Sequence, residues 1–283
     1  MSEDGSLVEE KKHDTEDEYR IVSSLEMMAE LEKEPECEYK VYSGFPTVDE
    51  CVDGFVDGEL VIISGPTKNG KTLFAQSMTA NMFKQNVFSL WFSFEVRPRY
   101  FIAGFDSTPP NFPIFYMPKR LKQAHLGWVF DSCIKSYQDY NTRVIFIDHL
   151  HYLLDLGRIR NPSLDIGEVI RKLKLFAKAN KFVIFLMCHT TKGSYETAIS
   201  YNSIRDSSLI AQESDITLMV IRDPERGSKK AWISVELSRR TEDQGAKVRV
   251  QKVGKYLQEI SPSEGGGNRY DEQLNALRKM NGM

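Results

Sequence analysis

The chain has 283 residues, of which 41% are hydrophobic and 27% charged, with a formal net charge of −3 and a pI near 6.0. This is the composition of an ordinary globular chain, long enough for one core of about 200 residues plus extensions or for two small domains. The slightly acidic balance argues against a generally basic nucleic-acid binder, although a protein that grips DNA only in a central channel does not need a basic surface.

Cys37, Cys51, Cys133 and Cys188 form no CxxC pair. They read as reduced thiols rather than a zinc site or a disulfide framework. With an acidic N-terminus and no apolar run of membrane-spanning length, a cytoplasmic location is expected, or its mitochondrial or phage-encoded equivalent.

In chain order, residues 1–18 are dense in Glu, Asp and Lys and read as a disordered acidic tail. Residues 19–40 read as a linker helix and tether. Ile21, Leu25, Met28 and Leu31 recur at helical spacing from Tyr19 to Glu34, and Pro35 ends the pattern. That stripe packs either on its own core or on a neighbouring subunit.

Leu60–Ser64 is a short, β-branched apolar run and predicts a buried strand. Gly65-Pro66-Thr67-Lys68-Asn69-Gly70-Lys71-Thr72 follows and fits G-x-x-x-x-G-K-[ST]. Leu73–Lys84 has no Gly or Pro and predicts a helix. This strand–loop–helix context is what polyphosphate binding requires. Glycines let the backbone curl around the phosphates, and the helix N-terminus presents amides to them. Lys71 would neutralise the β and γ phosphates of ATP, and the Thr72 hydroxyl would hold Mg²⁺.

Val87–Phe92 predicts the next strand, leading into Ser93-Phe94-Glu95-Val96. A carboxylate at a strand end beside a phosphate loop can polarise the water that attacks a γ-phosphate, which makes Glu95 the candidate general base. Residues 97–123, with five prolines, predict a loop-rich insertion with a short strand near Ile114–Tyr116. No chemistry is expected there, nor in the helix predicted over Leu126–Tyr140. Val144-Ile145-Phe146-Ile147-Asp148 is an apolar run ending in Asp, suited to the Mg²⁺ shell.

The loop from Asp155 to Pro162 is basic, with Arg158 and Arg160. A helix over Ile166–Asn180 and a strand over Val183–Cys188 lead to His189, and Lys192–Ser203 lacks apolar periodicity. Strands are expected over Ile216–Ile221 and Ala231–Leu237, then a hairpin within Lys247–Ile260. Residues 261–283 read as a flexible tail.

The motifs also resemble a known family. Ser43 to Leu60, with Asp49, Gly54 and Glu59-Leu60, is similar to the lead-in of RecA-type ATPase cores. Phe92-Ser93-Phe94-Glu95-Val96 is similar to the "F-S-L-E-M" of DnaB-like hexameric helicases. Asp148-His149-Leu150-His151 resembles their "D-Y-L-Q", with His149 and His151 at the Tyr and Gln places; His151 reads as a structural histidine. Ile204 to Asp215 resembles "L-R-E/G-S-G-x-I-x-Q-x-A-D".

Residues 41–260 therefore resemble the ATPase domain of superfamily 4 replicative helicases, of DnaB or phage primase-helicase type. The resemblance implies a RecA-like α/β core, mainly a parallel sheet with helices on both faces, extended by antiparallel strands. It implies a ring, expected to have six subunits, moving on single-stranded DNA and served by a primase or loader on a separate chain. It makes His189 the γ-phosphate sensor. Arg239, with Arg240 as the fallback, becomes the finger that reaches a neighbour's ATP, although Leu237 stands where the family has lysine. Arg158, Arg160 and Lys192 become contacts to DNA. The alternative is a RecA/RadA- or KaiC-like ATPase that remodels DNA or protein complexes without unwinding.

Overall fold

The computed structural model describes residues 20–33, 39–106, 112–122, 125–154, 162–189, 210, 212–225, 227–241 and 245–260. Two units are distinct, residues 1–38 and 39–283.

In the first unit, α1 spans Ser24–Leu31. Ser23 and Glu26 form a reciprocal capping box at its start. This cap begins the helix later than the apolar stripe alone implies, leaving Ile21 outside it. None of its residues is buried.

In the second unit, a two-stranded antiparallel ladder pairs β1 (Lys40–Val41) with β2 (Phe55–Val56). Helix α2 (Pro46–Val52) lies between them in sequence. Asp49 shapes this lead-in: its carboxylate accepts from the Ser43 amide at 2.7 Å, the Ser43 hydroxyl at 2.7 Å and the Gly44 amide at 2.9 Å. The Ser-Gly…Asp pattern is thus a backbone clasp.

The main sheet contains β3 (Leu60–Ser64), β4 (Ser89–Ser93), β5 (Val144–Asp148), β6 (Val183–Met187), β7 (Ile216–Arg222), β8 (Lys230–Ser238), β9 (Lys247–Val253) and β10 (Tyr256–Glu259). Its order is β10-β9-β8-β7-β3-β6-β5-β4. Strands β7, β3, β6, β5 and β4 are parallel, and β8, β9 and β10 extend the sheet antiparallel. This is the architecture expected from the sequence.

Side-chain alternation supplies two cores. On one face Val61, Ile63, Trp91, Phe146 and Phe185 meet helix α3 (Lys71–Lys84) through Phe74, Met78 and Met82. On the other, Leu60, Ile62, Ile145 and Ile184 pack with residues of α5 (Leu126–Tyr140) and α6 (Pro162–Asn180), among them Val129, Ile170 and Leu173. Trp91 and Phe146 are cross-strand partners stacked at 4.6 Å, and Phe146 and Phe185 are partners stacked at 4.8 Å. Such pairs contribute about 0.5–1.5 kcal/mol beyond burial. They also lock the register of β4, β5 and β6, whose carboxyl ends carry the site.

Residues 97–123 depart from the expected loop. Helix α4 (Pro98–Ile102) forms there, with Pro98 in its first turn where a missing N–H costs nothing. The strand expected near Ile114–Tyr116 is reduced to a single bridge, Leu90 to Tyr116. Among the described residues, no helix is long and apolar enough to cross a membrane.

Candidate functional site

The chain leaves β3 for the far edge at β4, returns through β5 and β6 to β3, and then passes to β7 on the other side. A crevice at the carboxyl ends of parallel strands is the expected ligand site of such a sheet. Gly65 to Thr72 occupies that crevice. Gly65 has φ +146°, and a Cβ there would stand 2.2 Å from the Val220 carbonyl, so only glycine lets the loop lie on β7. Gly70, at φ +96°, turns the chain into α3. Asn69 ties the loop down, accepting from the Arg222 amide at 2.8 Å and donating to the Thr67 carbonyl at 3.2 Å.

The Lys71 ammonium is buried and has three donors. It reaches the Gly65 carbonyl at 2.8 Å, the Pro66 carbonyl at 3.1 Å and Nδ1 of His189 at 3.0 Å. Burial lowers its pKa, against the opposing pull of Asp148 and Glu95. Thr72 donates its hydroxyl to Asp148 at 2.8 Å. These two adjacent oxygen donors fit a hard divalent cation such as Mg²⁺.

Glu95 hangs from the end of β5, whose Val144–Asp148 run is the Walker B segment, because the Asp148 carbonyl accepts from the Phe94 amide at 2.7 Å and the Glu95 amide at 3.3 Å. Its carboxylate lies 3.8 Å from Nε2 of His189 and 3.8 Å from Nε2 of His149. Lys71, Thr72, Glu95, Asp148 and His189 are thus gathered from the ends of four adjacent strands, β3, β6, β5 and β4. Lys71, Thr72, Glu95 and His189 line a cavity of about 590 Å³ together with Thr67, Lys68 and Gly70, and Asp148 is buried behind Thr72. A carboxylate that can activate a water, beside an ammonium and a hydroxyl–carboxylate pair, is a constellation suited to phosphoryl transfer.

Sequence reasoning missed part of this wall. Tyr100 and Phe101 of α4 line the cavity, as do Lys252 and Lys255 of the β9–β10 hairpin. Gln76 of α3 donates to the Phe101 carbonyl at 3.0 Å and holds α4 there. No motif marks these positions; Pro98, in the first turn of α4, is a local signal that could have marked the helix, but the stretch read as a loop.

The two candidate finger residues do not line this cavity. Arg239 donates from Nε to the Ser214 carbonyl at 2.7 Å and from its guanidinium to the Gln212 carbonyl. Its amide donates to the Asp215 carbonyl beside Ile216, at the amino end of β7. The five-residue strand β3 separates that edge from the phosphate loop, a span of roughly 17 Å. Arg240 is more enclosed by its own chain, bonding Glu59, Asp53 and the Val52 and Gly54 carbonyls. Asp215, the last residue of the helicase-like motif, also does structural work: it accepts from the Leu60 amide at 2.7 Å and pairs with Lys174. Arg158, Arg160, Lys192 and the motif from Ile204 to Leu209 lie outside the described residues.

Burial, opposed by the Thr72 hydrogen bond, pushes the Asp148 carboxyl up to about 6. A raised folded-state pKa stabilises the fold below the unfolded value near 4, and the contribution is lost as pH rises through 6. Asp148→Asn is therefore expected to stabilise the nucleotide-free protein at pH 8 by about 1–3 kcal/mol, the advantage vanishing near pH 4. Thermal unfolding at both pH values checks this; equal melting temperatures at pH 8 would show that burial does not burden the carboxylate.

Residues 40–103 match the family described as DnaB-like helicase C terminal domain. The replicative DNA helicase DnaB of Leifsonia xyli subsp. xyli is 22% identical over 214 residues, covering 65% of this chain and 47% of that protein. The chain spans about half the length of the curated relatives it matches. A solved DnaB-like replicative helicase, studied with its primase interactions, superposes with a TM-score of 0.66 at 17% identity, covering 87% of this chain and 69% of that one. A KaiC-like protein from Pyrococcus horikoshii OT3 follows at 0.58 and 16% identity, covering 78% of this chain and 99% of that one. The chain is thus similar to the DnaB-like replicative helicases, in sequence to their C-terminal domain over residues 40–103 and in fold over most of its length.

Proposed function

We propose that the chain is an ATP-driven replicative DNA helicase motor that works as a homo-oligomeric ring, six-membered by analogy, on single-stranded DNA. The observation that carries this is the convergence of Lys71, Thr72, Glu95, Asp148 and His189 at one end of the parallel strands. When bound, Mg²⁺ neutralises charge on the β and γ phosphates. Thr72 and Asp148 hold it, Lys71 faces the same phosphates, Glu95 takes the proton of the attacking water, and His189 reports the γ-phosphate. Arg239 sits at the opposite end of the strands from its own phosphate loop, which suits a residue that serves the neighbouring subunit. A cytoplasmic or equivalent location and a separate primase or loader belong to the same reading.

Strand displacement on forked DNA, with ATP and with Glu95→Gln as control, tests it. ATP turnover without displacement would favour the KaiC-like remodelling alternative, which the Pyrococcus neighbour keeps in view.

Arg158, Arg160 and Lys192 follow the Walker B and sensor strands and are assigned here to DNA phosphates. Neutralising all three is expected to weaken binding and flatten its salt dependence by about one to three counterions. An unchanged salt slope in a fluorescence titration would remove them from the interface.

Helix α1 is assigned to docking on an adjacent subunit. Leu25, Met28 and Leu31 are 72%, 55% and 59% exposed. Covering each would contribute about 1.5–3 kcal/mol before ordering costs. Deleting residues 1–35 is expected to leave a folded monomer by light scattering; a ring of parent size would place the helix on its own subunit.

A further inference from the structure

Glu95 faces two imidazoles. Its Oε2 stands 3.8 Å from Nε2 of His149 and 3.8 Å from Nε2 of His189, and the two rings lie 4.4 Å apart at 71°. Each ring is held from behind. His189 accepts at Nδ1 from the Lys71 ammonium, and His149 accepts at Nδ1 from the His151 amide at 3.4 Å. A neutral imidazole that accepts at Nδ1 carries its proton on Nε2. An Nδ1 that accepts a hydrogen bond is unprotonated, so the His151 amide itself marks His149 as the Nε2–H ring. Its ring is also wedged against Tyr152, at 5.1 Å. Both Nε2–H groups therefore stand 3.8 Å from one carboxylate oxygen, a short move from hydrogen-bond distance.

The three side chains offer ligand atoms within 4.8 Å of one another, a spacing that also suits a metal ion. A metal would need a lone pair on both Nε2 atoms, and the Nδ1 hydrogen bonds place protons there instead. The trio is better matched to holding a carboxylate than to holding a cation.

We propose that His149 is a positioning residue for Glu95: its Nε2–H, with that of His189, cradles the carboxylate and aims it at the phosphate loop. His189 and Lys71 are in hydrogen-bond contact, so both are placed to turn toward a γ-phosphate. His149 is fixed on the Walker B segment and keeps its hold when they do. This rests on the helicase-motor reading for its catalytic consequence, and on geometry alone for the cradle.

Two measurements on the full chain test it. His149→Phe keeps a ring but loses the donor, and is expected to lower kcat for ATP hydrolysis about 10–100-fold with KM within about twofold. His149→Gln restores an N–H donor and is expected to recover most of the loss, with both variants melting near the parent. Parent kcat in the Phe variant, or equal loss in Phe and Gln, would overturn the proposal. So would inhibition by one equivalent of Zn²⁺ that His149→Phe abolishes, because it would make the trio a metal site. Histidine ¹⁵N spectra of the nucleotide-free protein need no hydrolysis: His149 is expected as the Nε2–H tautomer, with a resonance that moves in Glu95→Ala. An Nδ1–H tautomer, or no movement, would overturn the cradle even if the chain proved not to be an ATPase.

Discussion

Lys71→Ala is expected to reduce ATP turnover by about 10²–10³-fold, the loss typical of removing one preorganised electrostatic donor, and to weaken nucleotide binding. Its ammonium is the buried cation of the site, already directed into the loop by the Gly65 and Pro66 carbonyls. The substitution leaves those carbonyls and His189 without that donor. The loop itself stays anchored through Asn69 and through Gly65 against β7, so the variant should fold. Steady-state phosphate release and calorimetric titration of ATP check both parts. Unchanged turnover in the purified variant would end the ATPase reading.

Glu95→Gln is expected to separate binding from chemistry. Its side chain keeps the size and one carbonyl oxygen that can accept from His149 and His189, but it cannot take a proton. Loss of a general base costs about 10²–10⁴-fold in kcat. Because Glu95 is attached through its backbone to the Asp148 carbonyl, nucleotide affinity and ring assembly should be kept. Single-turnover hydrolysis, with binding measured in parallel, is the check. Turnover at the parent rate would move the base elsewhere in the cavity.

Taken together, these variants probe parts of the site that differed in how far they could be read from the chain. The Gly65–Thr72 loop and the strands on either side of it were legible because their signals are local. A fully buried strand appears as an unbroken apolar run, and a phosphate loop needs glycine at fixed offsets. The parallel core and the antiparallel extension followed from the same runs, and β3 to β10 lie close to where those runs stand. Helix α4 was locally legible too, but prolines in residues 97–123 read as breakers rather than as the first turn of a helix.

Amino-acid sequence by itself determined the phosphate loop, the acidic strand ends and the architecture that presents them, since each depends on neighbours a few residues away. Only tertiary structure decided what they meet. In-register pairing of Ser93 with Asp148 brings Glu95 to the Walker B end, and hence to His149. The antiparallel return of β8 sends Arg239 to the amino end of the parallel strands, away from the phosphate loop, while the β9–β10 hairpin brings Lys252 and Lys255 back to the cavity. Asp215, the end of the most family-specific motif, supports the Leu60 amide rather than the nucleotide cavity. Such contacts join residues far apart in the chain, and their register is set by side-chain packing across the sheet, which no local pattern encodes.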